Sequence, residues 1–176
     1  MRAASRLILL ALTFGLFAGP VFAQSTTKPK VIGEYRSWSA LTYKEGAGNV
    51  CYMSSSPEKW TSEPRNVRRG DIYILVTHNQ GRSVQDEVSI YTGYTYKKDS
   101  EVSLAIDGQN FDLFTDGDSA WARDAETDRK LVQAMVRGNK MVVRGTSSRG
   151  TLTIDTYSLS GFTAARNAIN KACKVR

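Results

Sequence analysis

The run Glu101-Val102-Ser103-Leu104-Ala105-Ile106-Asp107-Gly108-Gln109-Asn110-Phe111-Asp112-Leu113-Phe114-Thr115-Asp116-Gly117-Asp118-Ser119-Ala120-Trp121 decides the fold. Val102, Leu104 and Ile106 share one parity against Ser103, Ala105 and Asp107, the period of two that belongs to a half-buried strand. Asp107-Gly108 then reads as a tight hairpin turn into Phe111 and Leu113, and Asp116-Gly117 as a second turn into Ala120 and Trp121. Val88, Ile90, Tyr94 and Tyr96 keep one parity upstream, with Thr92 between them, so four successive strands in an antiparallel meander are expected.

The same pattern extends outward. Ile72–Thr77 is apolar at nearly every position and predicts a central strand buried on both faces. Trp38–Tyr43 and Val50–Met53 predict an earlier pair around Glu45-Gly46-Ala47-Gly48-Asn49. Leu152 and Ile154 share one parity while Tyr157 and Leu159 share the other, which predicts a bulge near Asp155. Two segments change to helical period. Leu131, Val132, Met135 and Val136 fall on one face and end at Gly138. Phe162, Ala165, Ile169, Ala172 and Cys173 recur at three and four, with Ser160 as the expected cap. The fold class is therefore mainly β, an antiparallel β-sandwich with two short helices.

The first 23 residues have the form of a secretory signal peptide. Arg2 and Arg6 give a basic start, Leu7–Ala18 is apolar, and Val21-Phe22-Ala23 is a small-residue cleavage site. The apolar stretch is shorter than the roughly 17–25 residues needed to span a bilayer. Cleavage between Ala23 and Gln24 would leave a soluble, exported chain with no transmembrane anchor. Residues 24–30 read as a mobile polar leader and 31–176 as one domain.

The sequence holds 24 Lys and Arg, 17 Asp and Glu, and one His. The charges are interspersed, and no nucleic-acid signature is present. The basic surplus suits solubility or weak attraction to anionic envelope components. Two cysteines in an exported chain read as a disulfide, here Cys51–Cys173, with Cys173 on the buried face of the last helix. Two distant thiols and His78 are too few for a metal site, so no metal or cofactor is expected.

Candidate chemistry is sparse. His78 has no Gly-x-Ser-x-Gly partner motif and reads as a solvated loop histidine. Asp112, Asp116 and Asp118 do not match a calcium loop and are explained by turn chemistry. Two long connections stand out, Ser54–Gly70 and His78–Asp86. The first carries Trp60, Arg65 and Arg68, an aromatic-plus-arginine character that suits partner contact; its simpler reading is a crossover with Trp60 tucked over a sheet edge. Arg144 and Arg149 flank a Gly-Thr-Ser-Ser turn able to receive an anion, or are simply solvated. Arg69-Gly70-Asp71 has the form of an adhesion tripeptide, but its place at the entry to an apolar strand explains it as a turn.

An ordered set of segments resembles the invasion-associated locus B family of exported bacterial proteins. It comprises Trp38, Cys51-Tyr52, Arg69–Thr77, Glu87–Ile90 before Gly93-Tyr94, Ala120-Trp121-Ala122 and Ala134-Met135. It continues through Met141–Thr151 and Asp155–Phe162 to Cys173. The resemblance implies an immunoglobulin-like sandwich in the periplasm, at the outer membrane or outside the cell. It implies no catalytic residue, and a link to host-cell invasion in pathogenic relatives. The expected function is non-enzymatic binding of an envelope or extracellular partner, whether protein or anionic envelope component. The alternatives are a small periplasmic hydrolase using His78 or Asp112, Asp116 and Asp118, and a structural role in envelope integrity.

Overall fold

The computed structural model describes residues 28–175; the signal-peptide and Ala23–Gln24 cleavage readings lie outside the described residues. Eleven strands form one antiparallel sheet among them. They are β1 (Lys30–Tyr35), β2 (Trp38–Glu45), β3 (Gly48–Ser55), β4 (Lys59–Glu63), β5 (Tyr73–Asn79) and β6 (Val84–Tyr91). After these come β7 (Glu101–Ile106), β8 (Gln109–Asp116), β9 (Ser119–Trp121), β10 (Lys140–Thr146) and β11 (Leu152–Ser158). Helix α1 (Ala125–Arg137) lies between β9 and β10, and α2 (Phe162–Cys173) follows β11. The spatial order is β1-β2-β3-β5-β6-β9-β8-β7-β10-β11-β4. The sheet folds back on itself so that its two halves enclose one core, which makes the sandwich a single hydrogen-bonded layer rather than two. Trp38 of β2 marks the closure: its indole donates to the Ser158 carbonyl of β11 at 3.0 Å and meets the Phe162 ring of α2 edge-on.

The hairpins form where the turn residues put them. Asp107 and Gly108 both take positive φ between β7 and β8, which matches the twist of the flanking strands. The Asp107 carboxylate also accepts from the backbone N–H groups of Asn139 and Lys140, fixing the start of β10; these bonds hold its pKa down. The meander differs from expectation in one pairing. Strand β9 inserts between β6 and β8, so β6 never meets β7. The expected β6 is also shorter, because Gly93 takes φ +71° and turns the chain, leaving Tyr94 and Tyr96 beyond the strand.

Other expectations need correction. β1 already includes Lys30, the last residue of the expected mobile leader. Within Ser54–Gly70 runs the edge strand β4, which the polar sequence Lys-Trp-Thr-Ser-Glu conceals. β5 buries Ile74, Val76 and His78, whereas Tyr73, stacked on Tyr91, and Leu75 and Thr77 are only half-buried, so one face is core and the other is not. No bulge interrupts β11: its pairing with β10 and β4 runs unbroken through Asp155. The inward parity is Thr153, Asp155 and Tyr157, and Leu152 and Ile154 face outward.

Helix α1 is capped by Asp124, whose carboxylate accepts the Thr127 N–H at 2.7 Å. Leu131, Val132 and Met135 are buried as expected; Val136 is 37% exposed. Helix α2 is not capped by Ser160. Gly161 occupies the cap with φ +92° and no side-chain bond, and a Cβ there would fall 1.9 Å from the Tyr35 carbonyl oxygen. The Cys51–Cys173 disulfide joins β3 to the end of α2, with 122 positions between its cysteines.

Candidate functional site

Arg69 sits just before β5, and its side chain is 2% exposed. Burying a guanidinium unpaired is very costly, so it needs partners. Asp155 on the inward face of β11 supplies them, with both carboxylate oxygens accepting at 2.6 Å; Arg69 Nε donates to the Thr92 carbonyl at 2.8 Å. Tyr94 and Trp60 close the cation in, their ring centroids 5.3 and 5.2 Å from its central carbon. Trp60 stands opposite Asp155 in the β4–β11 register and so shares its face. It shields the ion pair from the sheet edge and remains 41% exposed. The first arginine of the Arg-Gly-Asp tripeptide is thus committed to the interior. Its glycine packs backbone-to-backbone on Gly93, donating to that carbonyl at 2.8 Å. Near the pair, the buried Tyr157 hydroxyl has no hydrogen-bond partner among the described residues. Burial first, and then the nearby Asp155 charge, pushes the Tyr157 hydroxyl far up.

Above this interior lies a groove of about 520 Å³, walled by residues 66–69, 93–95, 147–149, 151 and 153. Its lining contains no acidic side chain. Arg68 and Arg149 reach it from two different segments, are exposed, and make no ion pair among the described residues. Arg69 also lines it, already neutralised by Asp155. The walls are fixed by backbone bonds: Ser148 N–H to the Thr95 carbonyl at 2.8 Å, and Lys97 N–H to the Thr146 carbonyl at 2.9 Å. Tyr94 and Thr153 share a 2.7 Å hydroxyl contact across it.

Among the sequence candidates, Arg68 and Arg149 meet at this groove, and Trp60 borders it through Arg69. Arg65 and Arg144 are exposed but lie off the lining. The turn between Arg144 and Arg149 does not cradle an anion through its backbone. Ser147, Ser148, Gly150 and Thr151 all spend their N–H groups on protein acceptors. Sequence reading missed Asp155 and the hydroxyl lining of Thr95 and Ser148. The phase conflict in β11 was the available signal, since inward Thr153 and Asp155 also resolve it.

The hydrolase candidates are not assembled for chemistry. His78 is not a solvated loop residue: it is 1% exposed, near the end of β5. Its Nδ1 accepts the Asp86 N–H at 3.0 Å, which places the ring proton on Nε2, 2.7 Å from Asn170 Oδ1. Burial pushes its pKa down, against the Asn170 bond and the Asp86 charge. Both nitrogens are thereby occupied. Asp112, Asp116 and Asp118 are exposed along the β8–β9 hairpin, and no cluster among the described residues could hold a metal ion.

These features define a class: an antiparallel sandwich closed by a disulfide-pinned helix, with a cationic groove beside a buried ion pair. The fold is similar to the crystal structure of invasion associated protein B from Bartonella henselae. The TM-score is 0.52 at 15% identity, over 84% of this chain and 98% of that one. The model of the invasion associated locus B (IalB) protein family matches residues 38–170, and the chain belongs to that family. No curated protein matches the sequence.

Proposed function

We propose that this IalB-family chain is exported by its leader, acts as one domain without catalysis, and binds an envelope or extracellular partner at the groove. One observation carries the reading: two exposed guanidiniums, Arg68 and Arg149, share a groove whose lining has no carboxylate to pair them. Exposed arginines converging on one concavity supply forked donors for a partner's anionic groups. The leader's signal-peptide form supports export, and no helix among the described residues is long and apolar enough to cross a membrane. The occupied nitrogens of His78 count against hydrolysis. The family's name ties it to invasion, which makes a host-surface partner one candidate.

The test is crosslinking capture from periplasmic, outer-membrane and host-surface fractions, with wild type beside an Arg68→Ala/Arg149→Ala variant. Capture of one partner, lost in the variant, is the expected result. Undiminished capture overturns the choice of groove, and no capture from any fraction overturns the binding role. Trp60 is unsuited to this test because it shields the buried ion pair.

A further inference from the structure

Resting on that reading of the groove, we infer that its ligand is an anionic saccharide, a sugar chain carrying carboxylate or phosphate groups. The charge requires an anion: Arg68 and Arg149 are unpaired among the described residues, and the third guanidinium is cancelled by Asp155. Forked donors fit carboxylate and phosphate alike. The rest of the lining suits a ligand that carries hydroxyls. Asn66, Thr95, Ser148 and Thr151 present short polar side chains, while Val67 is the one aliphatic side chain, too little apolar wall for an acyl chain.

On the wall formed by residues 147–151, the backbone offers little to an extended acidic peptide. A bound strand needs free main-chain donors and acceptors. Here Ser147, Ser148, Gly150 and Thr151 have already committed their N–H groups within the protein. Trp60 adds the remaining part. Its indole lies outside the lining itself but is held over Arg69, which does line the groove, and at 41% exposure it offers a flat apolar surface beside that side chain. The C–H face of a pyranose ring can pack on such a surface while its hydroxyls meet the lining.

Calorimetric titration of the protein distinguishes the possibilities. The probes are tetragalacturonate, its fully methyl-esterified form, pentamannose phosphate, hexaglutamate, inorganic phosphate, and vesicles bearing a phosphorylated glycolipid. Binding of tetragalacturonate or pentamannose phosphate is expected. It should weaken about tenfold in Arg68→Ala and in Arg149→Ala, with thermal unfolding unchanged. Arg149→Lys should recover part of the loss. The neutral ester, phosphate and hexaglutamate should bind at least about tenfold more weakly. The vesicle arm separates a glycolipid headgroup from a free polysaccharide as the source. Equal binding of hexaglutamate, or binding of neither charged sugar, overturns the saccharide assignment. If partner capture still depends on Arg68 and Arg149 in those cases, the groove reading survives. If capture is indifferent to both, the groove reading fails as well.

Discussion

At the C-terminal end of β5, Cys51 is bonded to Cys173 and both ring nitrogens of the adjacent His78 are engaged. At the approach to its N-terminal end, Arg69 is held only by Asp155, backbone and two rings, beneath a groove with two unpaired arginines. One end is tied covalently. The other depends on charge, and it sits beside the buried Tyr157 hydroxyl, which has no hydrogen-bond partner among the described residues. Leaving that hydroxyl unpaired costs this end about 1–3 kcal/mol.

The comparison breaks most visibly if the covalent end is removed. Cys51→Ser with Cys173→Ser opens a closure of 122 positions and should lower stability by about 4–5 kcal/mol in urea unfolding. A loss below about 1 kcal/mol would mean that α2 packing alone holds that end.

The electrostatic end has a different signature. Asp155→Ala strands a buried guanidinium and should cost about 3–5 kcal/mol. Arg69→Met with Asp155→Leu should cost far less than that single change, because it removes both charges and keeps the volume. Urea unfolding of the three proteins checks this. A double variant as unstable as Asp155→Ala would show that the damage comes from packing.

This same pair marks the limit of what the sequence made legible. The β7–β9 meander, β2, β3, β5 and the buried faces of both helices were readable because their periods and turn residues are local, whereas the polar edge strand β4 was not. The groove was only half readable. Arg68 and Arg149 could be named as candidates, yet nothing local brings residues 81 positions apart to one concavity. β11 was misread because apolar residues were assigned inward, and Asp155 can face the core only since Arg69 neutralises it from 86 positions away. His78 failed for the same reason. Its partners Asp86 and Asn170 come from β6 and α2, so its burial is a tertiary fact.

Trp60 gives a smaller effect at the electrostatic end. Trp60→Ala exposes the Arg69–Asp155 pair to water and removes one ring from the cation, so a loss of about 1–2 kcal/mol is expected. In the Arg69→Met/Asp155→Leu background the same change should cost less. Equal cost in both backgrounds would show that Trp60 contributes area and not shielding.

The smallest effect belongs to the disulfide end and appears as a pH dependence. Asp128 of α1 accepts the Val88 N–H at 2.9 Å. Burial raises its pKa to about 6, opposed by that bond and reinforced by Glu87, Asp86 and Asp124. The folded chain therefore holds a proton that the unfolded chain releases near pH 4, and this contribution falls as pH rises from about 4 through about 6. His78 has the opposite sign. Its folded pKa is depressed, so its contribution is present above the unfolded value near 6.5 and is lost as pH falls below it. The two slopes oppose each other across the mildly acidic range. Asp128→Asn keeps an acceptor for Val88 but removes the titration, so acid sensitivity should steepen below about pH 6, by on the order of 1 kcal/mol at pH 4.5. Urea midpoints for wild type and variant between pH 4.5 and 8 would show it. Parallel curves would mean that Asp128 carries no extra proton in the folded chain across this range.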